Sequence, residues 1–205
     1  KKITLYSTAV PVNCKAAQVA SLINDNGYKA TVDGIDLTGA NEYAVNAINI
    51  TSGGFIIRNS NVTNSGNQGI YLWNSPNSLV ENCTLLNTNS FAVQASTCAN
   101  VVFRNNTLTN TGIEGQGKYA EYVAMEVANS CTNALIEYNT ITNTGHNGIN
   151  IYFSNGVIVR NNYVNTFCKT KDDGGGIYSW LGSGNGTYSG IQILNNIVLN
   201  GIAAP

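Results

Sequence analysis

The sequence predicts an all-β solenoid of stacked, parallel coils, on three observations. One motif recurs along the chain, apolar residues keep the same place in every copy, and Asn occurs 33 times in 205 residues. The motif reads RNSNVTN from Arg58, ENCTLLN from Glu81, RNNTLTN from Arg104, EYNTITN from Glu137, RNNYVNT from Arg160 and LNNIVLN from Leu194. Successive spacings of 23, 23, 33, 23 and 34 residues set a base period of 23, lengthened twice. Repetition on that scale marks a repeat architecture, in which one unit alone cannot bury its apolar face and stacked units can.

Alignment of the copies gives two interior columns. One is Val62, Leu85, Leu108, Ile141, Val164 and Val198; the other is Ile57, Val80, Phe103, Ile136, Val159 and Ile193. Both are rich in β-branched residues and lack helix-forming runs, so the units are strands rather than helices. Beside them run two Asn columns, Asn59, Asn82, Asn105, Asn161, Asn195 and Asn106, Asn139, Asn162, Asn196. Asn tolerates tight turns, and its amide can bond the like amide one coil away. A fifth column, Arg58, Glu81, Arg104, Glu137, Arg160, alternates in sign. Strands about 4.8 Å apart pair opposite charges and separate like ones, so the alternation supports the same register and reads as a surface ion-pair ladder. DGIDLTG at Asp33 is a weaker preceding copy. About six to seven coils are expected.

Composition narrows the function classes. Charged residues make up 10% of the chain and the net charge is −1, which excludes a nucleic-acid partner, since phosphates need a basic surface. No apolar run approaches the ~20 residues of a membrane span. Low charge and abundant Asn, Thr, Ser and Gly predict a secreted or cell-surface protein, although Lys1 does not begin a signal peptide. Residues 1–42 match the repeat poorly and are expected to be an N-terminal β segment, either the end of a preceding module or a first irregular coil. Residues 43–205 are expected to form the solenoid proper, as part of a longer chain whose other domains would be partners. The five cysteines form no C-x-x-C pair; Cys98 and Cys131 share a column, as stacked small residues or a disulfide.

The NNT-[LI]-T-N motif followed by G-I-x-I (Gly148 to Ile151) brings a resemblance into view. Residues 43 to 200 resemble the right-handed parallel β-helix repeat superfamily, which includes pectate lyases, polygalacturonases, chondroitinase B, alginate lyases and many secreted bacterial proteins of unknown role. The pattern is specific for the fold and not for one activity. It implies a polysaccharide or glycan as partner. Neither the Asp constellation of polygalacturonases nor the Arg and Ca²⁺-binding Asp set of pectate lyases can be laid onto these positions.

A second strand starts about six residues after each Asn-rich turn. It reads IYLW from Ile70, VQAS from Val93, MEVA from Met125, INIY from Ile149 and IYSW from Ile177. Strand alternation turns the second and fourth residues outward. The outward rows are Tyr71, Gln94, Glu126, Asn150, Tyr178 and Trp73, Ser96, Ala128, Tyr152, Trp180. Aromatic planes stack on sugar C–H faces while amides and carboxylates bond hydroxyls, so Tyr71, Trp73, Gln94, Asn150, Tyr152, Tyr178 and Trp180 are the candidate substrate-binding residues. Packing under loops or a neighbouring domain is the bland alternative.

The two lengthened spacings fall at one edge of this sheet. Ile113 to Val123 precedes the Met125 strand and Phe167 to Gly176 precedes the Ile177 strand, giving two walls with His146 between them. Glu114, Lys118 and Glu121 lie on the first wall, and Lys169, Lys171, Asp172 and Asp173 on the second. Glu126, His146, Lys171, Asp172 and Asp173 are the candidate catalytic residues. A glycoside hydrolase would use Glu126 with Asp172 or Asp173 as its two carboxylates. A lyase would use Lys171 or His146 as base, and Ca²⁺, the one cofactor this set could hold, would sit on Glu126 with the Asp pair; no metal ligand is assigned outright. Glu126 points outward and is expected to carry no burial cost. Asp172-Asp173 before three glycines is equally plain turn chemistry, and the lysines are equally solvated surface. Polysaccharide lyase or glycoside hydrolase is thus the leading reading, with a non-catalytic stalk, adhesin or structural segment as the alternative.

Overall fold

The computed structural model describes residues 4–6, 12–15, 20–115, 121–181, 188–202 and 204, with side chains from residue 20 onward. The described strands are all parallel and fall into two eight-stranded sheets, A and B, and one seven-stranded sheet, C. Each coil contributes one strand to each sheet in the order A, B, C, and the next coil stacks on it in register. Ile57 pairs Val80 and Val80 pairs Phe103 in sheet A. Val62 pairs Leu85 and Leu85 pairs Leu108 in sheet B. Among the described residues no helix is long and apolar enough to cross a membrane.

The interior is the stack of columns expected from the repeat, and Ile57, Val62, Val80, Leu85, Phe103, Leu108, Ile136, Ile141, Val159 and Val164 are buried in one cluster. Two members depart from the expectation. Ile193 is 50% exposed and Val198 40% exposed, because their strands are the last in sheets A and B and only one neighbour covers them. Strands before residue 43 join the same sheets. Thr4–Tyr6 pairs Thr31–Asp33, Val12–Lys15 pairs Ile35–Thr38, and Ser21–Asn26 pairs Tyr43–Ile48.

The two Asn columns have different tasks. Asn59, Asn82, Asn105, Asn161 and Asn195 have φ between 52° and 55°, the left-handed turn between sheets A and B. Asn tolerates this region better than most residues because its side chain is short and polar. Asn106, Asn139, Asn162 and Asn196 form a ladder in the next position. Asn139 takes N–H bonds from the backbone and side chain of Asn106 at 3.0 Å each. Asn162 takes the same pair from Asn139 at 2.9 Å each, and Asn196 the same pair from Asn162. The polar atoms that a parallel turn would leave buried are thereby satisfied. Further Asn ladders run through Asn64, Asn87, Asn110 and Asn143, and through Asn77, Asn100 and Asn133. The alternating column is an ion-pair ladder on sheet A: Arg58 pairs Asp33 at 2.8 Å, Arg104 pairs Glu81 at 2.6 Å, and Arg160 pairs Glu137 at 2.8 Å.

Cys83, Cys98, Cys131 and Cys168 are free and buried. In the column Ser75, Cys98, Cys131, the Cys98 and Cys131 sulfurs accept backbone N–H bonds from Ser75 and Cys98 at 3.3 Å. Stacked small residues, not a disulfide, account for this pair.

Candidate functional site

Sheet C carries the outward rows in the expected register. Tyr71 pairs Gln94, Gln94 pairs Glu126, Glu126 pairs Asn150 and Asn150 pairs Tyr178. Four coil steps of about 4.8 Å separate the ends of this row, roughly 19 Å along the solenoid axis. A cleft of about 640 Å³ lies over it. The structure brings Tyr71, Gln94, Glu126, His146, Asn150, Tyr152, Lys171, Asp173, Tyr178 and Trp180 together as its lining. Trp73 and Asp172 are not part of that lining: Trp73 is an exposed residue at the sheet edge and Asp172 an exposed residue of the second wall. Lys118, on the first wall, lies outside the described residues.

Aromatic residues stand at the two ends of the cleft and amides in its middle. Tyr43 and Tyr71 stack at one end, with ring centroids 5.7 Å apart and an interplanar angle of 26°. At the other, Tyr152 lies 5.3 Å from Trp180 and 4.5 Å from Phe153. Between them the floor is one hydrogen-bonded row. Gln68 Nε2 donates to Gln94 Oε1 at 2.7 Å, Gln94 Nε2 donates to Glu126 Oε1 at 2.7 Å, and Asn150 Nδ2 donates to Glu126 Oε2 at 2.6 Å. Two runs of amide donors thus converge on a single carboxyl. Gln68 Oε1 and Asn150 Oδ1, the outer acceptors of the row, are buried without a hydrogen-bond partner.

Glu126 does not meet the expectation of a cost-free outward carboxylate. It leaves the interior as predicted, yet it lies between the Gln94 and Asn150 side chains that bond it and only 6% of it is exposed. Burial pushes its carboxyl above the ordinary value of 4.5, and the charge of Glu121 adds to the rise; the amides of Gln94 and Asn150 pull in the opposite direction. A carboxyl shifted by burial in the middle of a cleft is a frequent mark of a functional group.

The two walls are not separate. The base of each stacks on the coil between them, with His146 N donating to Tyr122 O at 2.9 Å and Cys168 N donating to His146 O at 3.0 Å. Thr170 Oγ1 donates to Gly112 O at 2.9 Å, and Lys171 Nζ stands 4.0 Å from Glu121 Oε2. His146 is 7% exposed and lies between the walls: its Nδ1 is 3.2 Å from Glu121 O and its Nε2 2.7 Å from Asp173 O. Both ring nitrogens face main-chain carbonyls; a neutral imidazole can donate to one of them, and the shorter contact, to Asp173 O, is the bond that fastens the second wall to this coil. Gly174 makes room for that ring; a Cβ there would collide with His146 and with Asn147 Oδ1. The result is one continuous rim along a single edge of sheet C.

Gln68 and Glu121 complete the site and are not among the residues predicted as catalytic or substrate-binding. The Ile70 strand begins two residues earlier than its apolar alternation shows, at Gln68, whose register partner is Tyr43. Glu121 belongs to the first wall, and its reach towards Glu126 depends on how that wall folds. Among the described residues no group of three or more His, Cys, Asp or Glu stands close enough together to hold a metal ion.

A family model described as a right handed beta helix region matches residues 12–163. No curated protein matches the chain.

Proposed function

The chain belongs to the right-handed β-helix family, and on that premise we propose that sheet C binds a polysaccharide along the solenoid axis and cleaves it with Glu126 as proton donor. One observation carries this reading: a buried carboxyl at the middle of a roughly 19 Å row whose two ends are aromatic. Rings stack on sugar C–H faces, and the amides between them bond hydroxyls. A carboxyl whose proton is held by burial can deliver it to a glycosidic oxygen as the bond breaks. Glu121 and Asp173, which line the same cleft, are the candidates for the second carboxylate that hydrolysis requires. His146 then serves as a positioning residue rather than the base. The low charge and high Asn content agree with work outside the cell or at its surface.

The test is a panel of soluble polysaccharides, scored for retention in native affinity gels, for new reducing ends and for absorbance of unsaturated uronate. Reducing ends without that absorbance, abolished in Glu126→Gln while retention persists, are the expected result. Product formation unchanged in Glu126→Gln removes that residue from the chemistry. A second reading is favoured by one fact: both Glu126 oxygens already accept amide N–H bonds. Retention with no product from any polymer identifies a non-catalytic glycan-binding surface, as in a stalk or adhesin.

A further inference from the structure

Resting on the reading of sheet C as a polysaccharide groove, we infer that its ligand is a neutral glycan, bearing hydroxyls but no carboxylate or sulfate, because the described lining of the groove sets carboxylates and acceptor amides against a single lysine.

The balance of charge comes first. Among the described residues that line the cleft, Glu121, Glu126 and Asp173 carry carboxyl groups and Lys171 is the one lysine or arginine. Lys171 already faces Glu121, 4.0 Å away. The arginines of the ladder are on sheet A and are paired there with Asp33, Glu81 and Glu137. Lys118 does not change the sign. Over the two insertions the sequence has four carboxylates (Glu114, Glu121, Asp172, Asp173) against three lysines (Lys118, Lys169, Lys171), before Glu126 is counted. A uronate or sulfated chain would bring one negative charge per sugar or disaccharide into this field. Like charges brought together in a partly desolvated groove oppose binding strongly. A bridging cation offers no escape among the described residues, where no metal-holding cluster exists.

The polar capacity of the floor points the same way. Its unsatisfied atoms are acceptors, Gln68 Oε1 and Asn150 Oδ1. Acceptors are complemented by hydroxyl donors, which every neutral sugar has, and are repelled by a carboxylate, which has none to give; because both atoms are buried, their amide side chains must turn toward the ligand to be used. The aromatic ends ask for C–H faces and no charge. Every term favours the neutral polymer.

The experiment compares glucomannan, xyloglucan and mixed-linkage β-glucan with polygalacturonate and alginate, by affinity electrophoresis and calorimetry at low ionic strength. Wild type should bind at least one neutral polymer, with the acidic ones weaker by on the order of tenfold or more. The doubly substituted Glu121→Lys, Asp173→Lys protein, altered only at exposed rim positions, should narrow that gap. Equal or tighter binding of polygalacturonate or alginate, lost in Tyr178→Ala, overturns the neutral class and leaves the groove reading standing. No binding of any polymer, or binding indifferent to both Tyr71→Ala and Tyr178→Ala, overturns the groove reading and this inference together.

Discussion

Asn150 donates its Nδ2–H to Glu126 Oε2 across one coil step at 2.6 Å, while its own Oδ1 stays buried and unpaired. Gln94 does the same to Oε1 from the coil on the other side. An ionised Glu is the one residue of this size that offers acceptors at both ends, so the two runs of amides meet head to head there. A Gln would let a single run pass through: Gln68 to Gln94 to residue 126, and on to Asn150 with its amide turned over. The row therefore does not need a carboxylate for its structure, and the buried acid has a cost.

That cost is measurable through pH. The Glu126 carboxyl lies above its ordinary value of 4.5 in the folded protein, so the folded state holds the proton to higher pH than the unfolded chain. Its contribution to stability is complete below 4.5 and is lost as pH rises through the folded value. Glu126→Gln should therefore melt higher than wild type at pH 7 and show a flatter dependence of Tm on pH above 4.5. The two proteins should converge at lower pH. Calorimetry between pH 4 and pH 8 checks this, and a variant that melts lower than wild type at pH 7 would refute it.

The Asn ladders make a second, sharper contrast. Asn139 is buried, and its side chain makes four bonds: two accepted from Asn106, one given to Phe103 O and one given to Asn162. Asn139→Ala strands these partners in the interior and should cost about 3 kcal/mol. Asn82 is exposed, has φ 53° and makes one 3.3 Å side-chain bond to Asn59. Asn82→Gly keeps the left-handed turn and should stay within about 0.5 kcal/mol of wild type, whereas Asn82→Ala should cost about 1 kcal/mol for the backbone alone. Urea unfolding of the three proteins gives the ranking directly.

These ladders also explain how far the sequence could be read. A parallel solenoid repeats the same environment every coil, so Val62, Leu85 and Leu108, or Arg58, Glu81 and Arg104, declare their register by recurring. Whatever does not recur stays hidden. The near-complete burial of Glu126 has no counterpart at Tyr71 or Gln94 in the same row, and the joining of the walls depends on Thr170 reaching Gly112, 58 residues away. Gln68 escaped because it stands at the head of a strand, ahead of the alternation that identifies Tyr71 and Trp73 as outward. Ile193 and Val198 recur as faithfully, and their exposure follows from standing in the last described strands of sheets A and B, where one described neighbour covers them.

Thiol chemistry tests the interior. Burial pushes the Cys83 thiol up to about 12, outweighing the hydrogen bonds that favour its ionised form. Only the thiolate reacts, so at pH 8 the native protein should leave Cys83 unmodified by iodoacetamide over hours, and unfolding in guanidinium should expose it at once. Mass spectrometry of the peptide containing Cys83 distinguishes the two. Rapid native labelling would mean that this turn opens far more readily than its packing allows.

The rim can be loosened without touching the core. Gly174 passes directly over the His146 ring, and Gly175 N donates to Asn147 Oδ1 at 2.8 Å beside it. A methyl group at 174 would collide with both residues, so Gly174→Ala must lift the second wall and break the 2.7 Å contact between His146 Nε2 and Asp173 O. The interior columns are untouched, and the loss of global stability should stay below about 1.5 kcal/mol. Amide exchange in residues 170–176 should rise, because the bonds from Thr170 and Lys171 to Gly145 O hold that segment down. Retention on a bound polysaccharide should fall in parallel. Faster exchange with unchanged retention would show that the rim is not a wall of the binding site, and unchanged exchange would show that His146 does not fasten it.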